Sequence, residues 1–343
     1  MLKKSTLSTL VVASILFSGC ANTMVKHSPE APITLAPLET LYQYQVINSK
    51  SKQPLTANSL ATELKNTDVI FMGEFHSHQG AHKLQLDLLQ ALYQQNPSII
   101  LSMEQFTRDA QPIVDGYLAG EYGENTLIED GDAWDHYKGS YRAIVEFARE
   151  KKIPVIAANA PAMFVRCVGK KGVDVLETIP DEKKPWSARK LDLANEHYKA
   201  KFMSFIKESG SRHGQTTDVA NKRMMNTYAA QLLRDTTMAE SIDRAIKKNP
   251  GHQVIHLNGA FHSDGHLGTT AVFETMNPGL STSVLSPVMV DDSVKPAATD
   301  KQYEQGDYVY LLKAMPTRYI NKDKEKAATY KLIKERMGKK CEL

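Results

Sequence analysis

Apolar positions along this chain follow two periods that alternate. The run "DVIFM" (68–72) is short, almost wholly apolar and stopped by Gly73, which predicts a strand buried on both faces. In "AHKLQLDLLQALYQQN" (81–96), Leu84, Leu88, Leu89 and Leu92 fall at helical spacing. "SIILSM" (98–103) predicts a second buried strand and "RDAQPIVDGYLAG" a helix. "YRAIVEFAREKK" (141–152) predicts another helix, and "IPVIAANAP" (153–161) a strand and a turn. Strand, helix, strand, helix, strand predicts an α/β fold, a mainly parallel sheet flanked by helices with right-handed crossovers.

The pattern changes twice more. "LYQYQVINSKSKQPLT" reads as a hairpin at the start of the folded body. Between 180 and 250 the strand signals stop, and two long helical stretches predict a smaller helical insertion, a second domain or a lid. Strands resume with "HQVIHL" (252–257), "TSVLSPVMV" and "DYVYLLKA". The α/β domain is therefore expected over 41–179 and 251–320. Residues 321–343 are expected to form a basic helix or tail, with "NKDKEK" as a solvated face.

The first 20 residues stand apart. Lys3 and Lys4, an apolar stretch and small residues before Cys20 have the layout of a secretory signal, not of a spanning helix. "FSGC" resembles a bacterial lipoprotein signal, in which Cys20 is lipidated; Phe17 stands where an aliphatic residue is usual. Ala21 in place of Asp after that cysteine implies, by analogy with Gram-negative lipoproteins, the outer membrane. Residues 21–40, polar with three prolines, read as a flexible tether. No other segment has 18 consecutive apolar residues, so attachment would rest on lipid alone. The formal charge of +3 falls to about +1 when the leader leaves, which gives no reason to expect a nucleic-acid partner. Cys167 and Cys341 remain after Cys20; in an oxidising compartment they could pair, and spacing alone leaves that open.

Chemistry-bearing residues gather at the ends of the predicted strands. The strand 68–72 exits into Gly73-Glu74-Phe75-His76, 98–103 into Glu104, 153–158 into Asn159, and 252–257 into Asn258-Gly259-Ala260-Phe261-His262. Parallel strands deliver such exits to one edge, where ligands of open α/β sheets bind. Glu74, His76, Glu104, Asn159 and His262 are predicted neighbours. "GEFHSHQGAH" and "GAFHSDGH" share Gly-x-Phe-His-Ser, each after an apolar strand. His76 and His262 could be metal or haem ligands, or could cap helices. Glu74 and Glu104 could orient imidazoles, ligate a divalent ion (Mn, Co or Zn) or act as a general base. His78, His82, His266 and Asp264 lie further into the loops and read as solvent-facing. The methionines 224, 225 and 238 read as core filling.

A third group is aromatic. "GDAWDHYKGSYRAI" (131–144) carries Trp134, Tyr137 and Tyr141, with His136 and Arg142 beside them. Tyr137 and Tyr141 are spaced for one helical face. A phenolate suits ferric haem iron, flat rings suit a porphyrin and an arginine suits propionates. The same spacing also suits an aromatic patch packed on the sheet.

Taken together, "GEFHSH", "MEQF", "WDHYKGSYR", "VIAANAP", "LRDTTMAESI" and "NGAFHSDGH" resemble the ChaN branch of the Tiki/TraB and erythromycin-esterase-like superfamily, haem-binding lipoproteins linked to iron uptake. The resemblance spans about residues 60 to 285 and the leader. It implies a parallel sheet flanked by helices with a smaller helical domain. It implies ferric haem held by a tyrosine at a homodimer interface with a histidine of the partner assisting. Here that tyrosine is Tyr141, with Tyr137 as the alternative. An outer-membrane haem receptor would be a further partner. The absence of C-x-x-C-H implies noncovalent binding. Arg234 and Asp235 of "LRDTT" are expected to serve in an ion pair that orients their helix against the strand-end edge, with contact to the pocket as the alternative. The alternative from the same superfamily is a metal-dependent, Tiki-like peptidase or esterase built on the paired Gly-x-x-His elements; H-E-x-x-H is absent, so it would be no ordinary zincin.

Overall fold

The computed structural model describes residues 35–208 and 218–343. The expected leader with Cys20, and the expected tether up to residue 34, lie outside the described residues. Eight strands form one sheet: β1 Tyr44–Asn48, β2 Pro54–Leu55, β3 Val69–Glu74, β4 Ile99–Thr107, β5 Val155–Asn159, β6 Gln253–Gly259, β7 Thr282–Val290 and β8 Tyr308–Lys313. Their order across the sheet is β2-β1-β8-β7-β3-β6-β4-β5. The six strands from β8 to β5 are parallel, and the β1–β2 hairpin adds an antiparallel edge. This is the expected architecture, a mostly parallel sheet flanked by helices.

Alternation along β3 explains why its sequence is apolar throughout. Ile70 and Met72 face a core shared with Leu84, Leu88, Tyr117, Ile144 and Val145 from the helices on one side. Val69 and Phe71 face the other side, against Ala239, Ile242, Ala245 and Phe273. A strand covered on both faces has no polar side to show.

The helical region 180–250 does not stand clear of the sheet. The helix Asp218–Lys248 lays its second half, through Ala239, Ile242 and Ala245, onto the sheet core. Its first half carries Tyr228 and Leu232 into a cluster with Tyr198 and Phe202 from the helix Glu196–Glu208. Helical periodicity told that this segment buries a face; which partner it buries against depends on the sheet. At the other end, Leu38 of the expected tether is buried beside Ile47, Val309 and Leu311, and its N–H donates to the Ser293 carbonyl at 2.7 Å. Leu35 and Leu38 thus belong to the folded body.

Cys167 and Cys341 form a disulfide across 174 residues of sequence, with Cα atoms 4.9 Å apart. It fastens the chain end to the helix Ala162–Lys171. The helix Lys322–Gly338 before it is largely exposed, with Tyr330 at 69%. No helix among the described residues is long and apolar enough to cross a membrane.

Candidate functional site

β3 and β6 run side by side with Gly73 opposite Asn258 and Glu74 opposite Gly259. The two Gly-x-Phe-His-Ser segments are therefore neighbours at one edge of the sheet. β4 lies on the other side of β6, and its pairing with β5 shifts register between Met103 and Thr107. That irregularity sits where Glu104 leaves the ladder, one strand away from Gly259.

Glu74 is buried and is the hub of a polar network. Its Oε1 accepts from Tyr141 Oη at 2.5 Å, His76 Nδ1 at 2.8 Å and Gln105 Nε2 at 3.1 Å. Its Oε2 accepts from Gln85 Nε2 at 2.5 Å, with His82 Nδ1 at 3.5 Å. Burial opposes the charge, but the hydrogen bond from His76, the nearby imidazoles and the Tyr141 hydroxyl hold the carboxyl below its usual range.

A second network centres on His262, also buried. Its Nδ1 bonds Asp235 Oδ1 at 2.7 Å and its Nε2 lies 3.3 Å from Glu104 Oε1. Burial pulls its pKa down, yet the charges of Glu104 and Asp235 outweigh that and raise it to about 10. His262 is therefore an imidazolium with both nitrogens donating. Glu104 Oε2 also accepts from the Gly259 N–H at 2.6 Å, and its carboxyl is held far below the ordinary range by His262, against the cost of burial. Asp235 accepts in addition from Tyr198 Oη at 2.7 Å and Thr269 Oγ1 at 2.9 Å.

Over these networks opens a cleft of about 640 Å³, within the range of small-molecule sites. His76, Glu104, Trp134, His136, Gln231 and His262 line it, together with Arg166, Arg234 and Lys339. His76 is the imidazole the cleft presents: its side chain is 43% exposed and its ring stands edge-on to Trp134 at 4.8 Å.

The remaining sequence candidates fall into different places. Tyr141 is buried on the Glu74 network, and burial with the Glu74 charge pushes its phenol well above the usual value. Tyr137 packs its ring on Phe106, and its buried hydroxyl has no hydrogen-bond partner. The two rings leave the chain where the short helix Tyr137–Ser140 meets the helix Arg142–Lys151, so their hydroxyls go to different surroundings. Arg142 makes a two-pronged pair with Glu124, away from the cleft lining. Asn159 donates to the Glu104 carbonyl at 3.1 Å and accepts from the Ala160 N–H at 2.8 Å, so it braces the strand end. His78 caps the helix Gln79–Gln95 and bonds the Lys313 carbonyl; it is buried, as is His82, where a solvent-facing role was expected. Asp264 is half-buried and bonds Ser286, while His266 bridges Glu274 and Asp307. Among the described residues no group of three or more His, Cys, Asp or Glu converges to hold a metal ion.

Gln85, Gln105, Gln231, Arg166 and Lys339 were not singled out from sequence. Gln105 stands beside Glu104 in "MEQF", but amides carry no spacing signature, and Lys339 reaches the cleft only through the tertiary course of the tail.

Gly259 is fixed by the site itself. A Cβ there would lie 2.6 Å from His76 Cε1 and 2.8 Å from Nε2. Gly259→Ala is expected to push the exposed imidazole off Glu74 while changing stability by less than about 1 kcal/mol, because a side-chain end can yield. A shifted His76 ring resonance in NMR with an almost unchanged urea midpoint is the check.

With this geometry in hand, comparison with known proteins is decisive. The family model described as "Haem-binding uptake, Tiki superfamily, ChaN" matches residues 60–272. The chain belongs to that family. The matched ChaN residues contain β3 to β6 and both networks, and end before β7, β8 and the tail. A solved structure described as cofacial heme binding to ChaN of Campylobacter jejuni is similar in fold, with a TM-score of 0.60 and 15% identity, over 79% of this chain and 97% of that one. An erythromycin esterase, EreC, in its open conformation is more distant, at a TM-score of 0.42 and 11% identity over 72% and 77% of the two chains. No curated protein matches the sequence.

Proposed function

We propose that this protein binds ferric haem noncovalently in the cleft between the strand ends and acts in haem and iron acquisition. A lipid on Cys20 would hold it at the outer membrane. The observation that carries the reading is the cleft lining: an exposed imidazole, His76, an indole, Trp134, and three cations in one space, in a chain of a haem-binding family. These residue types fit the group. An indole offers flat apolar surface to a porphyrin, cations suit its carboxylates, and imidazole and phenolate are ligands for its iron.

Tyr141 and His76 are the residues that would hold iron. His262 is unsuited, because both its nitrogens are committed to carboxylates. Neither tyrosine lines the cleft, but the Tyr141 hydroxyl joins the Glu74–His76 network that opens into it, whereas the Tyr137 hydroxyl does not. Tyr141 donates to Glu74 at 2.5 Å in the arrangement described, so ligation by its oxygen would require that proton to leave, against the raised pKa of the phenol. His76, bonded to Glu74 and open to the cleft, links this network to solvent. A homodimer on haem binding and a receptor at the outer membrane complete the proposal, both by analogy with the family.

Titration of the mature protein with hemin tests it. A saturable Soret band is expected, with a rise in apparent size if two copies close on the ligand. Tyr141→Phe should lower affinity by about tenfold or more, the scale of losing a ligand or its immediate partner, while Tyr137→Phe leaves it unchanged. Absence of a band from wild-type protein would refute the reading.

A further inference from the structure

Three cations line the cleft, and one of them comes from the tail. Arg166, Arg234 and Lys339 line it, from the helices Ala162–Lys171 and Asp218–Lys248 and from the tail. Glu104 and the histidines line the same cleft. Carboxylates of a ligand would pair with the three cations and avoid Glu104.

Lys339 follows a helix that is largely exposed, so its place depends on what holds the tail. Four contacts do so. Cys341 is joined to Cys167. Lys170 Nζ donates to the Lys339 carbonyl at 2.6 Å, and Arg166 Nη1 donates to the Lys340 carbonyl at 3.1 Å. Cys341 and Leu343 pack on the cluster that includes Phe164 and Val168. Arg166 thus touches both tail and cleft, and its guanidinium has further donors beyond the one used on Lys340. The tail lies outside the residues the family model matches.

We infer that Arg166, Arg234 and Lys339 form the carboxylate-recognising corner of the cleft, and that the Cys167–Cys341 bond keeps Lys339 in it. This rests on the haem reading and adds to it the part of the ligand that is recognised and the part of this chain that recognises it. The corner selects porphyrins with free carboxylates over their esters, whatever sits at the ring centre. It makes the tail part of the site, fastened there by a bond that reduction breaks.

The test uses hemin, iron-free protoporphyrin IX and the dimethyl esters of both, titrated against the mature chain by absorbance and fluorescence. Lys339 is exposed, so Lys339→Glu should fold as wild type, which a thermal melt verifies. Lys339→Glu is expected to weaken binding of both free acids about tenfold and to leave both esters unchanged. Cys341→Ser should give a loss on the free acids of the same order. Lys339→Glu added to it should do little more, because the tail has already left. Hydrogen exchange at 338–343 should slow when protoporphyrin IX binds wild type and not when it binds Cys341→Ser. Equal losses on acids and esters, or no loss on the acids, would overturn the corner while leaving haem binding intact. A wild-type chain that takes up none of the four porphyrins would end the haem reading and this inference together.

Discussion

Glu74→Ala is expected to lower the free energy of unfolding by about 3–5 kcal/mol, the cost of breaking a buried charged network from one side. Four donors, from Tyr141, His76, Gln85 and Gln105, converge on this one carboxylate. Alanine would leave them facing a cavity, and a buried donor without an acceptor costs about 1–3 kcal/mol. His76 can turn to solvent, which is why the sum of four such penalties is not reached. Glu74→Gln should cost less, because it fills the same volume, but its amide N–H₂ would face other donors. Urea denaturation of the two variants beside wild type measures this. A loss under about 1 kcal/mol for Glu74→Ala would mean that the network is not a structural centre. The same carboxyl, held below its ordinary value, contributes stability above the unfolded pKa and loses it as pH falls.

The second large effect is on the alkaline side. His262 titrates at about 10 in the folded chain, against an ordinary value near 6.5. Below about 6.5 the imidazole is charged in both folded and unfolded chains, and its pairing with Glu104 and Asp235 contributes in full. Between about 6.5 and 10 the folded chain holds a proton that the unfolded chain has lost, so stability falls by up to about 1.4 kcal/mol per pH unit. Above that window the contribution is gone. The depressed Glu104 carboxyl is the other side of the same ion pair, so it is not added to this sum. Urea midpoints at pH 6, 8 and 10 should fall steadily for wild type and much less for His262→Gln. Parallel pH dependence in the two proteins would show that His262 is not the group responsible.

Much of the site was legible in the chain because it sits at strand ends. An apolar run followed by glycine marks where a buried strand stops, and parallel strands stop on the same side; Glu74, His76, Glu104 and His262 were found that way. Side-chain direction was less legible. Tyr137 and Tyr141 were spaced for one helical face, but Tyr141 lies at the junction of two short helices, and that junction separates the hydroxyls. Arg142 looked suited to an anionic ligand; a glutamate 18 residues earlier occupies it. His78 and His82 looked exposed on local polarity, yet they bond the carbonyls of Lys313 and His76 and are buried.

By itself the sequence determined the α/β architecture, the strand ends that carry the chemistry and the family resemblance. Period and punctuation are local properties, and a strand buried on both faces leaves them plainly written. Which carboxylate each histidine meets, that Asp235 balances His262, and that Lys339 lines the cleft came from the folded chain alone. Those partners lie tens to hundreds of residues apart. Distances of a few ångströms between them are set by packing of the whole sheet and its helices, for which no local pattern in the chain is a record.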